Sequence, residues 1–92
     1  MKDCNKSVLI FWAEGCGYSS AALDMKKGLK ADGYKVRTKK IGHIGDEGAK
    51  ARFGEKLKPF LPRSKQQYIT WPQVFYKGKY IGGYAELVKK FG

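Results

Sequence analysis

Residues 7–13, Ser7-Val8-Leu9-Ile10-Phe11-Trp12-Ala13, form an unbroken run of bulky, β-favouring side chains after the serine. A run of this kind predicts a central strand covered on both faces. Glu14-Gly15-Cys16-Gly17-Tyr18 follows, and its two glycines allow a sharp turn into a helix that Ser19 or Ser20 would cap. Within that helix, which should end near Ala31, Ala22, Met25 and Leu29 recur at helical spacing as a buried stripe, and Asp32-Gly33 supplies a stop. Residues 34–41 then alternate. Tyr34, Val36 and Thr38 fall on one side and Lys35, Arg37 and Lys39 on the other, which predicts a second strand and completes a βαβ unit.

Gly42-His43-Ile44-Gly45 reads as a loop carrying a solvated histidine, and Asp46-Glu47 can open a second helix with Ala49, Phe53 and Leu57 on its buried stripe. Pro59 and Pro62 end it, and residues 56–67 are basic and irregular. Trp71-Pro72-Gln73-Val74-Phe75-Tyr76 and Tyr80-Ile81-Gly82-Gly83 flank Lys77-Gly78-Lys79, the pattern of a hairpin with glycine in a tight turn. Tyr84–Phe91 reads as a last helix with Leu87, Val88 and Phe91 inward and lysines at its C-terminal end. The order β-α-β-α-β-β-α describes an α/β protein, a four-stranded mixed sheet flanked by three or more helices. At 92 residues it is expected to be a single domain, residues 1–92.

The longest apolar stretch, residues 8–13, is far shorter than a bilayer requires, and residues 1–6 lack the length and cleavage site of a signal peptide. The expectation is a cytoplasmic protein without membrane attachment. Two cysteines in such a chain point to reactivity or packing rather than to a disulfide framework. The formal net charge of +11 attracts anions, whether nucleic acid, an acidic partner or a small anionic thiol, without choosing among them.

A cysteine between a buried strand and the first turn of a helix meets unpaired backbone N–H groups and the positive end of the helix dipole, both of which favour thiolate over thiol. Cys16 is therefore the expected nucleophile for thiol exchange. Cys16-Gly17-Tyr18-Ser19 is a C-x-x-C element whose second cysteine is serine, so release of a mixed disulfide must come from an external thiol. Cys4 stands on the far side of the first strand, roughly 20–30 Å away if the chain is extended, and reads as a bystander. Thr70-Trp71-Pro72-Gln73 places a proline at the entry to a strand, where either isomer of the Trp71-Pro72 bond is open from sequence. His43 has no second ligand at zinc-site spacing, and its glycine loop lacks the lysine and hydroxyl of a phosphate loop.

Strand, Cys16-Gly17-Tyr18-Ser19, helix, Thr70-Trp71-Pro72-Gln73-Val74-Phe75 and Gly78-Lys79-Tyr80-Ile81-Gly82-Gly83-Tyr84 together resemble the glutaredoxin family over nearly the whole chain. The resemblance implies a thioredoxin-like fold, a cis proline beside the active cysteine, and a glutathione groove lined by Cys16, Tyr18, Trp71, Pro72, Gly83, Tyr84 and Ala85. Trp71, Tyr84 and Ala85 would act there mainly through backbone groups. Three departures stand out. Glu14-Gly15 occupies the place where family members often carry a lysine, and Ala85 stands where an aspartate, serine or threonine is common, with Glu86 available to compensate. The basic segment 56–67 is the third, with Lys58, Arg63 and Lys65 as candidates for the glycyl carboxylate. The implied activity is that of a monothiol glutathione-dependent oxidoreductase acting on glutathionylated or disulfide-containing proteins through Cys16, as a monomer. A second implied reading is a [2Fe-2S] carrier in which Cys16 and a glutathione sulfur ligate a cluster bridging a homodimer. A third, motivated by charge, is a basic interaction module for an acidic protein or nucleic acid, although no base-reading motif is present.

Overall fold

In the computed structural model, which describes residues 7–63 and 69–91, the elements are β1 (Ser7–Glu14), α1 (Gly17–Ala31), β2 (Lys35–His43), α2 (Glu47–Leu57), a 3-10 turn (Lys58–Phe60), β3 (Gln73–Tyr76), β4 (Lys79–Gly82) and α3 (Tyr84–Phe91). The sheet order is β2-β1-β3-β4. β1 runs parallel to β2 and antiparallel to β3, and β4 is antiparallel to β3. This is the mixed four-stranded sheet expected from the sequence, with the continuous apolar run at its centre.

Because successive strand side chains point to opposite faces, β1 divides its residues between two cores. Val8 and Ile10 are fully buried with Ala22 and Leu29 of α1, Val36, Val74 and Leu87 of α3. Leu9 and Phe11 turn to the other face, where Ala13, Ile41, Leu57, Leu61, Trp71 and Phe75 form the second cluster. Each large side chain so buried contributes about 1.5–3 kcal/mol. α1 and α3 thus hold one face of the sheet and α2 the other, and the C-terminal end of β1 delivers Cys16 between them.

Several local details differ from the sequence expectation. α1 begins at Gly17 with Cys16 itself as N-cap, not at Ser19 or Ser20. β2 continues through Gly42 and His43, which the sequence reading gave to a loop. The register of β1 against β2 shifts between Trp12 and Ala13, and Gly42, at φ 138°, absorbs the irregularity. A Cβ at that position would sit 2.8 Å from the Ala49 Cβ, so glycine is what lets α2 close on the strand. The β3–β4 turn is Lys77-Gly78, both with positive φ (54° and 78°), the backbone a two-residue hairpin requires. α3 matches its expected bounds, but Val88 is 38% exposed, because Tyr84, Leu87 and Phe91 fill the helical face that meets the sheet and Val88 lies one residue off it. Cys4 and Lys65 lie outside the described residues.

Candidate active site

β1 ends and α1 begins around Gly15, whose φ of 85° makes the turn that a side chain would strain. Cys16 follows in extended conformation, and its carbonyl accepts the Ser20 amide at 3.0 Å to start the helix. The remaining first-turn N–H groups have no intrahelical acceptor and point back toward the cysteine. Its thiol is half-buried and lies 3.6 Å from the backbone oxygen of Trp71, to which it donates. Ser19, at the fourth position of the motif, is fully buried and accepts the Ala13 amide at 3.1 Å. That amide lies at the β1 register shift, so the serine hydroxyl satisfies a backbone donor where the ladder is irregular.

The Trp71-Pro72 peptide bond is cis. It forms one wall of a cleft of about 380 Å³ that gathers Tyr18, Thr70, Trp71, Pro72, Tyr80, Gly83, Tyr84, Ala85 and Glu86. All six residues that the resemblance assigned to a groove with Cys16 therefore meet at one place. The Tyr18 and Tyr84 rings face each other at 6.1 Å between centroids, linking α1 to α3. Gln73 braces the approach by donating from Nε2 to the Thr70 carbonyl. Gly83 packs so closely on the Pro72 carbonyl that a Cβ would lie 3.2 Å from it.

Gly83 is also the N-cap of α3, since its carbonyl accepts the Leu87 amide at 3.0 Å. Its own amide donates to Glu86 Oε1 at 2.8 Å. This is one half of a capping box: the glutamate three residues on serves the N-cap amide, while a glycine N-cap offers no side-chain oxygen in return. The other first-turn N–H groups of α3 are left toward the cleft. The Glu86 carboxylate has a second effect, because burial first and its negative charge next hold the Tyr80 hydroxyl's pKa above the ordinary tyrosine value.

On the other side of Tyr18, Thr70 and Trp71 lies a wider cleft of about 540 Å³ against α2, with Ile44, Ala51, Gly54 and Ile69 as its apolar part. Its charged rim is paired along the helix, Lys50 to Glu47 at 2.9 Å and Lys58 to Glu55 at 3.9 Å. Lys58 thus reaches this cleft, whereas Arg63 is exposed and is not among its lining residues. His43 is exposed, but it is more than a solvated loop residue. Its Nδ1 accepts the Gly45 amide at 3.0 Å, and its ring lies over Gly15, where a Cβ would stand 2.9 Å from Nε2. Glu14, in place of a lysine, points its carboxylate at Lys40 at 3.3 Å on the surface.

The buried role of Ser19, the engagement of Gly83 by Glu86, and the places of Tyr80 and Lys50 in the clefts were not expected from the sequence. Only the second left a signal, the four-residue spacing of a capping box from Gly83 to Glu86.

The chain superposes on reduced Escherichia coli glutaredoxin with a TM-score of 0.67 at 24% identity, covering 91% of each chain. Glutaredoxin 1 of Francisella tularensis gives 0.63 at 24% identity, with 91% of this chain and 90% of that one covered. The fold is that of the glutaredoxins. A dithiolic glutaredoxin of Trypanosoma brucei brucei is similar at 0.59 and 24% identity, over 92% of this chain and 75% of that one. No protein-family model matches the chain, and no curated protein matches it in sequence. In this glutaredoxin fold the strand-to-helix junction carries Cys16, and the helix that follows the hairpin carries Gly83, Tyr84 and Ala85. No helix among the described residues is long and apolar enough to cross a membrane.

Proposed function

We propose that the chain is a glutaredoxin that works by a monothiol mechanism, taking glutathione from glutathionylated thiols through Cys16. The observation that carries the reading is the placement of the Cys16 thiol on the Trp71 carbonyl, at the wall of a cleft that also contains the N-terminus of α3. Glutathione is a short extended peptide with two carboxylates and one ammonium. Its γ-glutamyl carboxylate fits the open N–H groups at Tyr84 and Ala85, and its ammonium fits the Glu86 carboxylate, which stands where Ala85 offers no polar side chain. Its cysteinyl backbone fits beside Trp71 and Pro72. The glycyl carboxylate is left toward the α2 side, where Lys58 and Lys50 stand.

In the first step the Cys16 thiolate attacks the glutathione sulfur of the mixed disulfide. The S–S bond to the target breaks, the target leaves as thiolate and takes a proton from solvent, and a Cys16–glutathione disulfide forms. In the second step the thiolate of another glutathione attacks the glutathione sulfur of that intermediate, giving glutathione disulfide and restoring the Cys16 thiolate. Summed over both steps, one glutathione thiol and the mixed disulfide are converted to the target thiol and glutathione disulfide, so the incoming glutathione is the only reductant consumed. Ser19 takes no part, because it has no sulfur and its oxygen is sealed against the Ala13 amide.

The space above Gly17, where an added Cβ meets nothing within 4 Å, supports a second reading in which Cys16 and a glutathione sulfur hold a [2Fe-2S] cluster shared with another copy. Turnover of a small glutathione mixed disulfide by wild type and Cys16→Ser, with an absorbance spectrum of the fresh protein, separates the two. Colourless protein whose turnover disappears with Cys16 supports the oxidoreductase. Little turnover with cluster absorbance overturns it in favour of the carrier.

A further inference from the structure

The face of the sheet covered by α2 is left partly open at the end remote from Cys16. A cleft of about 280 Å³ lies there, floored by Leu9, Phe11 and Phe75 and walled by Leu57 and Phe60. Its floor follows from strand register: Arg37, Leu9 and Phe75 stand opposite one another across β2, β1 and β3 and so share one face. Phe60, in the 3-10 turn, is 66% exposed and extends the apolar wall of the cleft to the surface. Arg37 stands at the rim, lines the cleft, and has no carboxylate partner among the described residues. Among the described residues, no carboxylate lines the cleft. Lys35 and Lys39 flank Arg37 on the same exposed side of the edge strand β2. The cleft runs along β1 from Phe11 to Ser7, the far end of the strand, roughly 23 Å from its Glu14 end at about 3.3 Å per strand residue.

We infer that this cleft is a docking surface for acidic protein segments that carry a large apolar side chain, with Arg37 taking a carboxylate and the Leu9, Phe11 and Phe60 trough taking the apolar group. Charge selects the partner. A guanidinium presents a planar fork that suits a carboxylate, and it sits beside apolar area that a purely polyanionic chain would leave empty. The net charge of +11 draws such segments in, and the trough discriminates among them. The inference does not rest on the proposed redox chemistry, since this cleft shares no lining residue with the one beside the Cys16 thiol.

The test is fluorescence anisotropy with a fluorescein-labelled dodecapeptide of glutamates carrying a central Leu-Phe pair, compared with an all-glutamate dodecapeptide and a labelled dT12 oligonucleotide. The Leu-Phe peptide is expected to bind about tenfold or more tightly than the all-glutamate one, the scale of an interfacial anchor. Arg37→Glu and Phe60→Ser, both at exposed positions, are each expected to remove that advantage. Lys27→Glu makes the same charge change on the exposed side of α1, across the sheet, and should leave it intact, as should Cys16→Ser. Equal binding of the two peptides, equal losses in Arg37→Glu and Lys27→Glu, or no binding would overturn the inference. Preferential binding of dT12 would overturn it in favour of a nucleic-acid surface.

Discussion

The Ser19 hydroxyl receives the Ala13 amide at 3.1 Å, with the serine fully buried directly beneath the turn that presents Cys16. The hydroxyl at the fourth position of the motif is therefore structural.

Ser19→Ala should destabilise the protein by about 1–3 kcal/mol, the cost of stranding a buried backbone donor. Urea denaturation measures it. Turnover per folded molecule should stay within a few-fold of wild type, because the residue transfers no electrons; loss of turnover comparable to Cys16→Ser would contradict that assignment.

Gly82→Ala should be disruptive out of proportion to its size. The residue has φ 132°, and a Cβ there would collide with the Glu86 side chain that serves the Gly83 amide. Beyond a stability loss of more than about 1 kcal/mol, the cap at the start of α3 should loosen. The kinetic expectation is a rise in KM for the glutathione mixed disulfide that exceeds the fall in kcat. An unchanged KM would show that this helix end does not bind the substrate.

Tyr80 gives a pH dependence with a definite sign. Its folded pKa is raised, by burial and by Glu86, so above the unfolded value the unfolded chain binds fewer protons than the folded one. The stability this group contributes is fully present below the unfolded tyrosine pKa and is lost as pH rises through the folded one. Thermal melts across the alkaline range should show wild type losing stability faster than Tyr80→Phe. Parallel curves would refute it.

Phe11 and Phe75 meet edge to face at 5.9 Å in the core beneath α2. Phe75 is 7% exposed, and Phe75→Ala should cost about 3–5 kcal/mol by chemical denaturation. A loss below about 1 kcal/mol would mean that this face is loosely packed.

Much of this was legible in the chain because the signals were local. The unbroken run 7–13 could only be satisfied at the middle of a sheet, and Tyr84–Phe91 announced its bounds through the glycines before it and the lysines at its end. The gathering of Tyr18, Trp71, Pro72, Gly83, Tyr84 and Ala85 followed from the resemblance. What escaped depended on tertiary register. That Ser19 would be buried depends on a register shift at Trp12 and Ala13 that no periodicity reveals. Gly42 and His43 looked like a loop because glycine ordinarily breaks strands, yet here the close approach of Ala49 requires it. Val88 looked inward because an eight-residue helix leaves little pattern from which to fix its face.

The most direct test of Cys16 as the single exchanging thiol is intact-mass and peptide mapping after reaction with glutathione disulfide, followed by addition of reduced glutathione. One glutathione on Cys16, removed by reduced glutathione and absent in Cys16→Ser, is the expected result. A stable intramolecular disulfide to Cys4, or no adduct on Cys16, would contradict the monothiol mechanism.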